Sequence, residues 1–135
     1  LGVQGSDALA KARALLASTP AMWLALTLGA GGAVLLARDG RAWHSAESAP
    51  VSVVDTVGAG DCFLAGLLVA LMQRPDMRPG TLADALQLGA DGAQHLLAHA
   101  VASASLCVMQ TGCTPPSLSE VVARTAAHPP IFRTL

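Results

Sequence analysis

Two aspartates bracket a glycine-rich stretch in the middle of this chain, Asp55-Thr56-Val57-Gly58-Ala59-Gly60-Asp61. A strand that hands over to a helix through such a turn leaves main-chain N–H groups without acceptors at the positive end of the helix dipole. Gly58 and Gly60 permit dihedrals closed to other residues and keep side chains out of a ligand's way. The pattern is that of an anion cradle, and phosphate is its usual guest. A carboxylate beside a resting phosphate would repel it, so Asp61 suits another task. It could take a proton from an attacking hydroxyl while the amides hold a phosphoryl group in transit. The helix dipole favours its ionised form. Asp55 and Thr56 offer oxygen atoms that could position the turn or ligate a cation. The plainer alternative makes Asp61 a helix N-cap and Gly-Ala-Gly an ordinary turn.

These residues need elements to hold them. Ser6 or Asp7 is a plausible N-cap for a helix to about Ala17, with Leu9, Ala12, Leu15 and Leu16 on one face. Residues 21–28 form a nearly continuous apolar run, which predicts a strand buried on both faces. Asp39-Gly40 between two further apolar runs predicts a hairpin. Val51 to Asp55 reads as a short strand leading into the turn. From Asp61 the period becomes helical, with Phe63, Leu64, Leu67, Leu68, Leu71 and Met72 on the apolar face. Thr81 should cap a second helix that Gly89 and Gly92 break or loosen, and a third then runs through 93–109. Ser117 with Glu120 is a capping box for a short last helix, and the tail from His128 looks irregular. The order of elements predicts an α/β fold in a single domain spanning 1–135.

Composition excludes several classes. The 135 residues carry a net charge of −1, which leaves no electrostatic footprint for nucleic acid. No apolar run reaches the roughly 18 residues of a membrane span, and no secretory signal opens the chain. Cys62, Cys107 and Cys113 are widely spaced, which favours buried thiols in a reducing compartment, hence a cytoplasmic location. Asp91, His95 and His99 would share a helix stripe, but no convincing further ligand lies nearby, so a solvated face is expected. Cys62 could have a dipole-lowered thiol pKa, although simple packing under the turn explains it as well. Trp23 and Trp43 fall in strands and should pack on the sheet, while His44 and His128 have no partner that the sequence can name.

The stretch 55–61 resembles the D-T-x-G-A-G-D signature of the ribokinase-like (PfkB) carbohydrate kinases at all six specified positions. A chance match in a chain of this length is on the order of one in 10⁵. The turn Thr27 to Leu35 resembles the family's T-x-G-x-x-G, and Thr111 to Ser117 its R-x-G-A-N-P-P loop; alone, each is equally well a strand-end turn or a helix C-cap. The resemblance implies the C-terminal part of a three-layer α/β/α sandwich, with a β-hairpin and the nucleotide-binding edge of its sheet. It implies Asp61 as catalytic base, and the N–H groups of Gly58, Ala59, Gly60 and Asp61 as an anion hole. Thr27, Gly29 and Gly32 would sit near the phosphates and ribose of ATP. Asp55, with Thr56, would lie by a monovalent-cation (K⁺) site.

The implied reaction is transfer of the γ-phosphate of Mg²⁺-ATP to a hydroxyl of a small-molecule sugar substrate. The Cys-x-Pro-Pro ending leans towards fructokinase-type members. The chain departs from the pattern at Val101, where many relatives place an Asn near the adenine. An Asn-x-x-Glu motif tied to Mg²⁺, the sugar-binding half and the β lid would precede Leu1. A homodimer could form in the full-length protein. Two alternatives stay open: a non-catalytic nucleotide- or phosphate-binding fragment, and a kinase of a nucleoside or other small alcohol.

Overall fold

The computed structural model describes residues 3–74 and 88–135, with side chains from residue 7 onward in the first helix. Its elements run α1 (Val3–Ala17), β1 (Trp23–Thr27), β2 (Ala33–Ala37), β3 (Ala42–Ala46), α2 (Ala59–Met72), α3 (Ala90–Val108), α4 (Leu118–Ala127) and β4 (Ile131–Thr134). The strands form one antiparallel sheet in the order β1-β2-β3-β4.

All five residues of β2 are apolar and buried, because both faces of the sheet are covered there. Val34 and Leu36 point to α1, where they pack with Ala12, Leu16 and Ala42. Ala33, Leu35 and Ala37 point the other way, into a core shared with Trp43, Phe63, Ala70, Leu96, Leu97 and Ala100. Leu36 and Leu97 are fully buried, and each such side chain contributes roughly 1.5–3 kcal/mol relative to exposure. The result is a three-layer sandwich, α1 on one face and α2 with α3 on the other, the arrangement that the family resemblance implied.

Local turn chemistry appears where the sequence put it. Asp39-Gly40 is the β2–β3 turn, with Gly40 at φ 98° and the Asp39 carboxylate accepting from Arg41 N–H at 3.1 Å. Ser117 and Glu120 make the capping box of α4. Trp23 and Trp43 stack on one sheet face at 5.8 Å, with the Arg41 guanidinium over both rings.

Other expectations are corrected. Residues 21–28 yield only β1, which is half exposed because its one strand neighbour among the described residues is β2. Val51 to Asp55 is not a strand: the Val54 and Asp55 N–H groups both turn to the Val108 carbonyl at the end of α3. The tail is not irregular, since Ile131–Thr134 pairs with β3. Ser6 and Asp7 do not cap α1, which starts at Val3; Asp7 instead pairs with Lys11 at 2.7 Å. Leu15 is exposed and the stripe is Leu9, Ala12 and Leu16.

Helix α2 turns Cys62, Phe63, Gly66 and Ala70 inward, leaving Leu64, Leu68 and Met72 outside. Its small residues let α3 come close: a Cβ on Gly66 would run into the Ser103 side chain. Gly92 lies within α3 and does not break it, while Gly89 is its N-cap. The helix expected from Thr81 lies outside the described residues.

Candidate functional site: a cleft between two glycine turns

The first turn joins β1 to β2, where Thr27 stands opposite Ala33. Residues 29–31 make a single 3-10 turn, closed by Leu28 N–H to Gly32 O at 2.8 Å and Gly32 N–H to Gly29 O at 3.1 Å. Gly32 has φ 85°, and a Cβ there would collide with the Ser45 carbonyl oxygen and Ala46 Cα on β3. No side chain fits at that position. His44, opposite Val34 in the register, places Nε2 2.7 Å from the Gly31 carbonyl oxygen. It thereby props the turn from the neighbouring strand. The hairpin at Asp39-Gly40 was the one sequence signal that could have brought residue 44 alongside.

The second turn follows the irregular segment 51–58. Asp55 accepts the Val57 N–H at 3.0 Å on one oxygen and the Gly112 N–H at 2.9 Å on the other. The same carboxylate therefore ties this turn to the loop after α3. These amides, Val57 first and Gly112 next, hold the Asp55 carboxyl below the usual carboxylate value by stabilising its ionised form. Gly58, at φ 81°, is the N-cap of α2, and a Cβ there would collide with Cys113.

Beyond Gly58 the amides divide. Ala59 N–H makes a long bond of 3.3 Å to Thr56 O, and Cys62 N–H closes on Gly58 O at 2.8 Å. The N–H groups of Gly58, Gly60 and Asp61 donate to no acceptor among the described residues. A Cβ on Gly60 would meet only open space. Asp61 is the third residue of α2, not its N-cap; its side chain is exposed and has no partner among the described residues.

Both turns face one cleft of about 480 Å³, a volume typical of small-molecule sites. Thr27, Gly29 and Gly32 line it from one side, and Thr56, Ala59 and Gly60 from the other. Gly58, Asp55 and Asp61 do not line it: Gly58 backs onto Cys113, Asp55 onto the 112 loop, and Asp61 follows Gly60 on the exposed surface. Val101 stands in the wall.

So does Glu47, a residue that sequence reasoning did not single out. Its Oε1 accepts from Arg124 Nε at 2.9 Å, while Oε2 is buried without a partner. Nothing in its local sequence distinguishes it from a surface acid.

The cysteines depart from expectation. Cys62 and Cys107 are buried but Cys113 is exposed, and the three Sγ atoms lie within 4.8 Å of one another. Burial, then the neighbouring thiols, push Cys62 up to about 12, the opposite direction from a dipole-activated thiolate. The expected solvated stripe is likewise corrected: Asp91 and His95 are exposed, but His99 is buried. Burial first, and then the charge of His95, lower its pKa. Among the described residues no helix is long and apolar enough to cross a membrane.

The sequence model described as pfkB family carbohydrate kinase matches residues 1–120. No curated protein sequence gives a match. Among solved structures, a ribokinase from Giardia lamblia shares 23% identity at a TM-score of 0.70, over 90% of this chain and 37% of its own. Aminoimidazole riboside kinase from Salmonella enterica shares 27% at 0.63, over 93% and 38%. The fructokinase of Vibrio cholerae O395, solved with fructose, ADP and calcium ion, shares 28% at 0.55, over 76% and 30%. The chain thus spans between 30% and 38% of the length of these solved relatives. A match over residues 1–120, joined to a sandwich of the ribokinase kind, establishes that this chain belongs to the pfkB family of carbohydrate kinases.

Proposed function

We propose that this chain is the nucleotide-binding part of an ATP-dependent kinase that moves the γ-phosphoryl group of ATP to a hydroxyl of a sugar, fructose-type sugars being favoured. One observation carries the reading: two glycine turns about thirty residues apart in sequence converge on a single cleft. Three free amides and an unpartnered carboxylate stand at the second turn. The likeness to a fructokinase solved with fructose and ADP supports the sugar and the nucleotide.

The donor set fits a nucleotide. Open space above Gly60 and the acceptor-free amides of Gly58, Gly60 and Asp61 suit phosphate oxygens. Mg²⁺-ATP, when bound, would supply the phosphoryl group, and its Mg²⁺ would neutralise part of the phosphate charge. Thr27, Gly29 and Gly32 would bound the nucleotide on the opposite wall. Asp61 would accept the proton of the attacking hydroxyl while the amides, Ala59 included once its long bond opens, take up charge on the transferring oxygens. Asp55 and Thr56 are the oxygen donors proposed for a monovalent cation such as K⁺. The full-length protein is proposed to act in the cytoplasm, as a homodimer.

Two observations favour other readings. Coverage of little more than a third of the relatives' length favours a chain that binds nucleotide without turnover, because acceptor residues would lie outside it. The riboside kinase match favours a nucleoside acceptor. A coupled assay of ADP formation with fructose, ribose and aminoimidazole riboside, beside calorimetry with ATP, separates all three. Fructose-dependent turnover is expected of the full-length protein, and ATP binding of this chain. Binding without sugar-dependent turnover selects the non-catalytic reading, and turnover with the riboside alone selects the nucleoside kinase.

A further inference from the structure

We infer that Cys62, Cys107 and Cys113 form a site for one thiophilic d¹⁰ metal ion of the Zn²⁺ or Cd²⁺ type, directly behind the second glycine turn. The three come from the first turn of α2, the end of α3 and the loop after it, and no two are near neighbours in sequence except through that loop. Their sulfur atoms nevertheless lie within 4.8 Å of one another. An ion with bonds to sulfur of about 2.3 Å holds tetrahedral thiolates roughly 3.8 Å apart. Small side-chain rotations close that difference.

The ligand chemistry narrows the guest. A set made only of sulfur, without carboxylate or imidazole, selects soft and borderline ions over Mg²⁺ or Ca²⁺. Cys62 and Cys107 are buried and Cys113 is exposed, so three ligands come from the protein and the fourth position faces solvent. Backbone geometry accommodates the cluster. The absent side chain of Gly58 is what lets Cys113 Sγ sit against the turn, and Cys107 Sγ also lies 3.7 Å from Val57 O. Loading is a proton exchange with no change of oxidation state. Three S–H bonds break, three sulfur–metal bonds form, and three protons pass to the buffer. The loaded centre carries one net negative charge, and the N-terminal end of α2 offers a favourable field for it. This inference is independent of the kinase reading.

The test is titration of the reduced chain with Cd²⁺, following the thiolate-to-metal charge-transfer absorption and proton release in weak buffer, then competition with Zn²⁺. One ion per chain and nearly three protons per ion are expected. Cys113→Ser, at an exposed position, should keep the native circular dichroism yet lose at least tenfold in affinity and release fewer protons. Cys62→Ala should weaken binding in the same direction. Absence of the absorption band at equimolar Cd²⁺ would overturn the inference. So would a Cys113→Ser variant that binds Cd²⁺ with the parental affinity and band.

Discussion

Gly58 and Gly60 stand two positions apart and face opposite demands. Gly58 is held at φ 81° against Cys113, whereas Gly60 is helical and opens on empty space. Gly58→Ala should therefore destabilise the fold by roughly 1–3 kcal/mol from backbone strain alone, and further through the collision. A lowered urea midpoint at unchanged slope would show it; an unchanged midpoint would contradict the geometry. Asp61 has no side-chain partner among the described residues, so Asp61→Asn should lower the urea midpoint only slightly, through the lost helix-dipole interaction, and leave ATP affinity within a few-fold. Sugar-dependent turnover, measured in the form of the protein that supports it, should fall on the order of 10²–10⁴-fold. Retention of the parental rate would remove Asp61 from the base role. Asp55 behaves differently because its carboxylate is bonded at both oxygens. Its pKa is lowered in the folded state, so its stabilising effect is complete above the unfolded value near 3.9 and lost as pH falls below it. Acid titration of Asp55→Asn should show a smaller loss over that window than the parent.

At the scale of elements, the close approach of α2 and α3 rests on Gly66 lying against Ser103 and Ala100. Gly66→Leu should wedge the pair apart and cost roughly 1–3 kcal/mol by overpacking, read from thermal unfolding. What the sequence made legible was local. Asp39-Gly40 marked its hairpin and Ser117 with Glu120 their cap, because both act over a few residues. The buried face of α2 was not legible: the helix is apolar nearly all round, so periodicity could not choose between Leu64 and Gly66. Strand β4 was hidden behind Pro129-Pro130, since its pairing with β3 joins residues about ninety apart in sequence. Val51 to Asp55 looked like a strand by composition but spends its amides on the end of α3. The two glycine turns that bound the cleft could be read from their spacing, while the places of His44, Glu47 and the thiol cluster could not. Their partners are set by tertiary structure alone.

For the molecule as a whole, the three layers set both stability and the site. His99 is buried on α3 with a lowered pKa. Its unfolded form binds protons near pH 6.5 and its folded form only below that. Stability should thus be complete above about pH 6.5 and decline as pH falls through that value. Thermal unfolding at neutral and mildly acidic pH should show a larger drop for the parent than for His99→Leu. The cleft exists only because the sheet carries the turn at 29–32 while α2 carries the turn at 58–61. Calorimetric titration of ATP into the parent chain and into Gly60→Val tests that convergence most directly, since a valine at this helical, open position fills the cleft without straining the backbone. We expect the parent to bind ATP and Gly60→Val, folded by circular dichroism, to lose at least tenfold in affinity. A parent that fails to bind, or a Gly60→Val variant that binds ATP as the parent does, would contradict a phosphate cradle at this turn.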